Sequence, residues 1–135
     1  MTGLVLKLGP RERLLINGAV IENGDRRSRM NILTPGAKIL RLRDAIHPDD
    51  ATTPVRRICY TLQMVLSGDL DVATAMPELL SGIEQLSPIF ADPDSHRLLS
   101  VAMGALREDR FYQALKALRE LLPMEERLLN LRREH

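Results

Sequence analysis

The chain has 135 residues, 44% of them hydrophobic and 3% aromatic, which fits one compact domain with an aliphatic core and argues against wholesale disorder. Tyr60, Phe90, Phe111 and Tyr112 are the complete aromatic set, so base recognition on rows of stacking rings is poorly supported. The net charge of +1 conceals an asymmetry: residues 1–46 carry nine Lys/Arg against four Asp/Glu, and the remaining residues carry ten against fourteen.

The single cysteine, Cys59, excludes an intrachain disulfide and implies a reducing compartment. It falls within an apolar helical run, where a thiol is a buried, inert side chain. The N-terminus has neither the basic segment nor the apolar run of a signal peptide, and no window reaches the roughly 20 apolar residues of a membrane span. A cytoplasmic location is the expectation.

In chain order, Leu4 to Leu8 reads as a first strand closed by Gly9-Pro10. Leu14 to Ile16 and Ala19 to Glu22 follow as a hairpin around Asn17-Gly18, a dipeptide whose two residues both tolerate positive φ. Asn23-Gly24-Asp25 is the next turn, Arg29 to Leu33 a further strand, and Thr34-Pro35-Gly36 another turn. Lys38 to Arg43 alternates, placing Lys38, Leu40 and Leu42 on one face and Ile39, Arg41 and Arg43 on the other. Four or five short antiparallel strands make a small β-region over residues 1–46. It is too small for a large core of its own and must pack on the helices or on a second copy.

Arginine outnumbers lysine seven to two in this region, and its planar fork suits phosphates and guanine edges. The RNA-binding candidates are Lys7, Arg26, Arg27, Arg29, Lys38, Arg41 and Arg43. The competing reading is that edge strands carry charge to prevent edge-to-edge aggregation.

Residues 47–135 form a helical region, reached through the polar linker His47 to Pro54. Thr53-Pro54 is a helix start, with Thr as N-cap and Pro at the first helical position. Val55, Ile58, Cys59, Leu62, Val65 and Leu66 form its apolar face up to Ser67-Gly68. Arg56-Arg57 sits at the unfavourable end of the helix dipole, which calls for an acid elsewhere in the chain. Asp69 or Asp71 caps a second helix running to about Leu86, Asp94 caps a third and Asp109 a fourth. After a break at Pro123, Met124 to Glu134 is a charged final helix. Residues 94–122 make an α-hairpin. The whole is an α+β chain: a small antiparallel N-terminal β-region followed by an α-helical bundle.

Catalysis is not supported. His47, His96 and His135 share no metal-ligand spacing with one another or with Cys59, and the glycines occur singly in turns rather than in a phosphate loop. No enzyme activity, metal or cofactor is expected. A second functional surface is the groove of the helical hairpin at Met103, Leu106, Leu115 and Leu118, with Leu128 on the last helix. For the first four, core packing is the competing reading.

Three blocks carry a family likeness: Leu6-Lys7-Leu8 with Glu12-Arg13; Ile16-Asn17-Gly18-Ala19-Val20-Ile21 with Asn23-Gly24-Asp25-Arg26-Arg27; and Ala51-Thr52-Thr53-Pro54-Val55-Arg56-Arg57-Ile58. With Ala114 to Arg119, they resemble the flagellar biosynthesis regulator FlbT, collinearly over nearly the whole chain. The resemblance implies a cytoplasmic post-transcriptional regulator acting on the 5′ untranslated region of flagellin mRNA. The implied partners are that leader, the regulator FlaF and flagellin itself. Members differ in whether they repress or promote flagellin production, and a repressor is one expectation.

The β-region alone resembles the small RNA-binding protein CsrA, through its short strands, Thr34-Pro35-Gly36 and the Arg43-Asp44-Ala45-Ile46 strand end, with one extra residue after Pro35. That likeness implies a strand-swapped homodimer gripping RNA with its first and last strands. Leu4 to Lys7 and Arg41 with Arg43 fall at the corresponding positions.

Overall fold

The computed structural model describes residues 3–133. Five strands come first: β1 (Leu4–Leu8), β2 (Arg13–Ile16), β3 (Ala19–Glu22), β4 (Ser28–Ile32) and β5 (Ile39–Arg41). Helices α1 (Pro54–Ser67), α2 (Val72–Leu86), α3 (Pro93–Arg107), α4 (Phe111–Arg119) and α5 (Leu122–Arg133) follow. The α+β class read from the sequence holds.

The strands form two antiparallel sheets. One is a two-stranded ribbon of β1 and β4, and the other has the order β3-β2-β5. All five strands therefore pair within one chain, and the ladders close without the strand exchange implied by the CsrA likeness. The Asn17-Gly18 turn joins β2 to β3 with φ of 49° and 85°, the left-handed values that Asn and Gly tolerate. It is also anchored to the neighbouring chain, because Asn17 Oδ1 accepts from the Lys38 amide at 2.9 Å and the Asn17 amide donates to the Lys38 carbonyl at 2.8 Å.

Alternation along the strands builds three layers. In the β2–β5 register Leu14 lies opposite Arg41, Leu15 opposite Leu40 and Ile16 opposite Ile39. Leu14, Ile16 and Ile39 face the ribbon and pack with Leu6, Leu8 and Tyr112, while Leu15 and Leu40 face the helical core. The three-stranded sheet is thus covered on both sides. This corrects the reading of residues 38–43 as a strand with a basic face. Ile39, Leu40 and Arg41 are all buried, and Leu42–Asp44 winds into a 3-10 turn.

The helical core is aliphatic, as composition required, with Leu62, Val65, Leu66, Leu79, Leu106 and Leu118 essentially inaccessible to solvent. Helix α1 begins as expected, on the Thr53 N-cap with Pro54 following, and ends on Gly68 at φ 86°. Three helix starts differ from the expectation. Asp92, not Asp94, caps α3, its Oδ2 accepting from the Ser95 amide at 3.0 Å. The reason is Pro93, whose missing N–H suits the first helical position. Asp109 is not a cap but a left-handed turn residue at φ 58°, and α4 starts from Arg110 without a side-chain cap. Pro123 does not break the chain. It lies in the first turn of α5, where its amide would have had no partner. Pro77 is likewise absorbed within α2. The expected helix end at Glu134 lies outside the described residues.

Candidate nucleic-acid interface

The structure divides the nine cations of the β-region into a paired set and an outward-facing set. Arg11 bonds Asp25 at 2.6 Å and approaches Glu22 at 3.5 Å, and Arg13 bonds Glu22 at 2.9 Å. Their arginine partners hold the Glu22 carboxyl below its ordinary range, chiefly through the bond from Arg13. These contacts fit the charged-edge reading.

Arg41 is the main correction among the RNA-binding candidates. It is 8% exposed, because it projects from the same face of β5 as Ile39. Its Nε donates to Glu12 Oε2 at 2.7 Å, and its Nη2 donates to Glu12 Oε1 at 2.7 Å and to the Lys7 carbonyl at 2.6 Å. The Arg41 guanidinium pulls the Glu12 carboxyl down to about 2, against the opposing effect of burial, and the Gly9 amide adds a bond to Oε1 at 3.0 Å. A guanidinium held this way cannot reach RNA without leaving a buried carboxylate unpaired.

Directly above this network is a groove of about 550 Å³ lined by Lys7, Leu8, Gly9, Arg27, Ser28, Arg29 and Arg43. Four of the seven RNA-binding candidates meet there. Lys7 on β1 and Arg29 on β4 are register partners, so two like charges stand opposite each other across the ribbon. Such pairs destabilise a sheet unless an anion lies between them. Arg43 enters from the 3-10 turn and is held at a distance by Glu12, at 3.6 Å, and by Asp44, at 3.9 Å. None of the lining residues is acidic.

Asn23 shapes the loop that carries Arg26 and Arg27. Its Nδ2 donates to the Gly9 carbonyl at 2.7 Å and the Arg26 carbonyl at 2.9 Å, and its Oδ1 accepts from Ser28 Oγ at 2.7 Å. Arg26 is exposed on that loop but outside the groove lining. Lys38 sits beside the Asn17-Gly18 turn and also lies outside that lining.

The expected helical partner groove is closed. Leu106, Leu115 and Leu118 are buried in the helical core, and Met103 packs against it. The spacing that looked like a docking groove is the spacing by which α3 and α4 bury each other. Leu128 differs, being 37% exposed. Cys59 is buried as read, and desolvation pushes its thiol up to about 12.

Two residues that matter escaped the sequence reading. Glu12, one acid among basic residues, is the counter-ion on which Arg41 depends. Glu125 reaches from α5 to the start of α1, accepting from the Val55 amide at 2.8 Å and from Thr53 Oγ1. It is the acid that the Arg56-Arg57 helix start called for, but it meets the helix terminus itself. A lone Glu after Leu-Pro-Met gave no signal beyond ordinary helix composition. Among the described residues no group of His, Cys, Asp and Glu is placed to hold a metal ion. No helix there is long and apolar enough to cross a membrane.

The family model described as flagellar protein FlbT matches residues 4–129. The chain belongs to the FlbT family. It is 30% identical over 126 residues to the probable flagellum biosynthesis repressor protein FlbT of Caulobacter sp. strain K31, covering 93% of this chain and 95% of that relative. With the like-named protein of Rhodopseudomonas palustris strain TIE-1 it shares 32% over 127 residues, 94% of this chain and 98% of the relative. The flagellum biosynthesis repressor protein FlbT of Caulobacter vibrioides strain CB 15 is 29% identical over 126 residues, 93% of this chain and 89% of the relative. No solved structure matches the chain significantly. The match spans both the β-region and the helices, so the basic groove and the Glu125 contact both fall within the family's extent.

Proposed function

We propose that this FlbT-family chain represses flagellum biosynthesis after transcription, by binding the 5′ untranslated leader of flagellin mRNA in the groove of Lys7, Arg27, Arg29 and Arg43. Relatives of nearly the same length carry the name of flagellum biosynthesis repressor. The observation that carries the reading is the Lys7–Arg29 pair, two cations held opposite each other on a ribbon at the edge of an acid-free groove. A phosphate between them removes the repulsion and gains two charge-assisted bonds. Arg41 supports the groove from beneath through the Lys7 carbonyl, as a positioning residue.

A gel shift with a flagellin leader and a scrambled leader, at two salt concentrations, tests this. Leader-selective binding weakened by salt is the expected result. Equal binding of both leaders, or none, overturns it.

A second reading has a specific observation behind it. Leu128 and Leu131 are 37% and 54% exposed on α5, three residues apart on one side of a helix. In that reading a protein such as FlaF or flagellin docks on α5, and control passes through protein contact. Leu128→Ser abolishing FlaF capture with leader binding intact would favour it. A homodimer formed through the free edges of the ribbon is compatible with either reading.

A further inference from the structure

The outer face of the ribbon continues beyond the two cations. Side chains alternate between faces, so Val5 and Lys7 of β1 share the outer face with Arg29 and Asn31 of β4. The register puts Val5 opposite Asn31, on the next outer rung from Lys7 and Arg29. Val5 is 52% exposed, and Asn31 is exposed beside it. Gly3 explains how the Asn31 carboxamide lies. A Cβ at Gly3 would overlap Asn31 Oδ1 and the Ile32 carbonyl, so the missing side chain is what lets the amide rest along the ribbon.

This one face therefore offers three chemistries in sequence: a double cation, an aliphatic patch and a primary amide. The amide carries a donor and an acceptor side by side, matching the adjacent N6 donor and N7 acceptor of adenine. Successive outer rungs stand about 6.7 Å apart, which lets a base reach Val5 and Asn31 while its own backbone stays at the cations. The four groove cations supply phosphate contacts, which orient a strand without reading its sequence. Asn31 is the neutral group placed to read it.

We propose that Asn31 reads the edge of one base, with preference for adenine, in the RNA whose phosphate is held by Lys7 and Arg29. The proposal rests on the RNA-binding reading above and adds a specificity-determining residue to it.

Fluorescence anisotropy with labelled ten-nucleotide oligo(A), oligo(C) and oligo(U) tests it, on wild type, Asn31→Ala, Gly3→Ala and the Lys7→Ala/Arg29→Ala double variant. One well-placed amide–base pair gives wild type a preference of about tenfold for oligo(A). Asn31→Ala removes that preference and leaves oligo(U) binding unchanged. Gly3→Ala, which displaces the amide while keeping every cation, narrows the preference. The double variant weakens all three oligonucleotides together. A wild type without preference, or an Asn31→Ala protein that keeps it, overturns the assignment while salt-sensitive RNA binding stands. Absence of salt-sensitive binding to any of the three overturns the RNA reading and this assignment with it.

Discussion

Arg41 and Glu12 form a two-pronged ion pair, Nε to Oε2 and Nη2 to Oε1, both at 2.7 Å, with their side chains 9% and 7% exposed. The same Nη2 holds the Lys7 carbonyl. One buried guanidinium thus joins β5, the loop before β2 and the end of β1, and the cations of the groove stand on that joint. Removing either partner leaves a buried charge uncompensated, at a cost of about 3–5 kcal/mol. Urea denaturation of Arg41→Ala and Glu12→Gln should show losses of that order. A loss under 1 kcal/mol in both would show that the pair does not brace the sheet.

The same pair sets an acid limit on stability. Glu12 has its carboxyl lowered to about 2 in the folded chain, from a reference near 4.5. A depressed carboxyl stabilises fully above its unfolded value, and that contribution disappears as pH falls through the folded one. The melting temperature should therefore decline between pH 4.5 and pH 2. Glu12→Gln should flatten that decline, and an unchanged slope in the variant would assign the acid sensitivity to other carboxylates.

Lys7 and Arg29 make the opposite kind of prediction. They are register partners of like charge, so Arg29→Ala should raise stability by about 0.2–1 kcal/mol in low salt while weakening RNA binding. A residue whose loss stabilises the fold and harms binding has a ligand to answer to. Thermal melts beside anisotropy on one preparation check both halves. Lower stability together with unchanged binding would return Arg29 to the charged-edge reading.

Glu125 and Thr53 fasten α5 to α1. Thr53 Oγ1 accepts from the Arg56 amide at 3.3 Å and donates to Glu125, whose other oxygen takes the Val55 amide. Glu125→Ala removes an anion from a helix N-terminus and leaves the buried Val55 amide without a partner, costing about 1–3 kcal/mol. Hydrogen exchange at Val55 and Arg56 should quicken first. Unchanged protection there would mean that α1 is capped without α5.

Local signals carried much of this fold. Asn17-Gly18, Thr53-Pro54 and Gly68 each impose their geometry through their own backbone or nearest neighbours, so their elements fall where the sequence places them. Tertiary partners were not legible. Arg41 and Arg43 look equivalent in an alternating basic strand, yet one is buried against Glu12 and the other is 58% exposed. The difference arises because the sheet is covered on both faces, which no period-two pattern reveals. Leu106, Leu115 and Leu118 show the same limit, since helical spacing describes a stripe and not whether another helix already covers it. The groove was half legible. Lys7, Arg27, Arg29 and Arg43 were candidates, but the β1–β4 register joins segments about twenty residues apart in sequence.

The most direct test of the groove is the salt dependence of leader binding, compared between wild type and Lys7→Ala/Arg29→Ala. Each single-strand phosphate contact contributes about 0.7 to the slope of log K against log salt. The double variant should lose about 1.4 from the wild-type slope, with an unchanged circular dichroism spectrum. An identical slope in the two proteins would contradict the account, because it would place the RNA somewhere other than the β1–β4 ribbon.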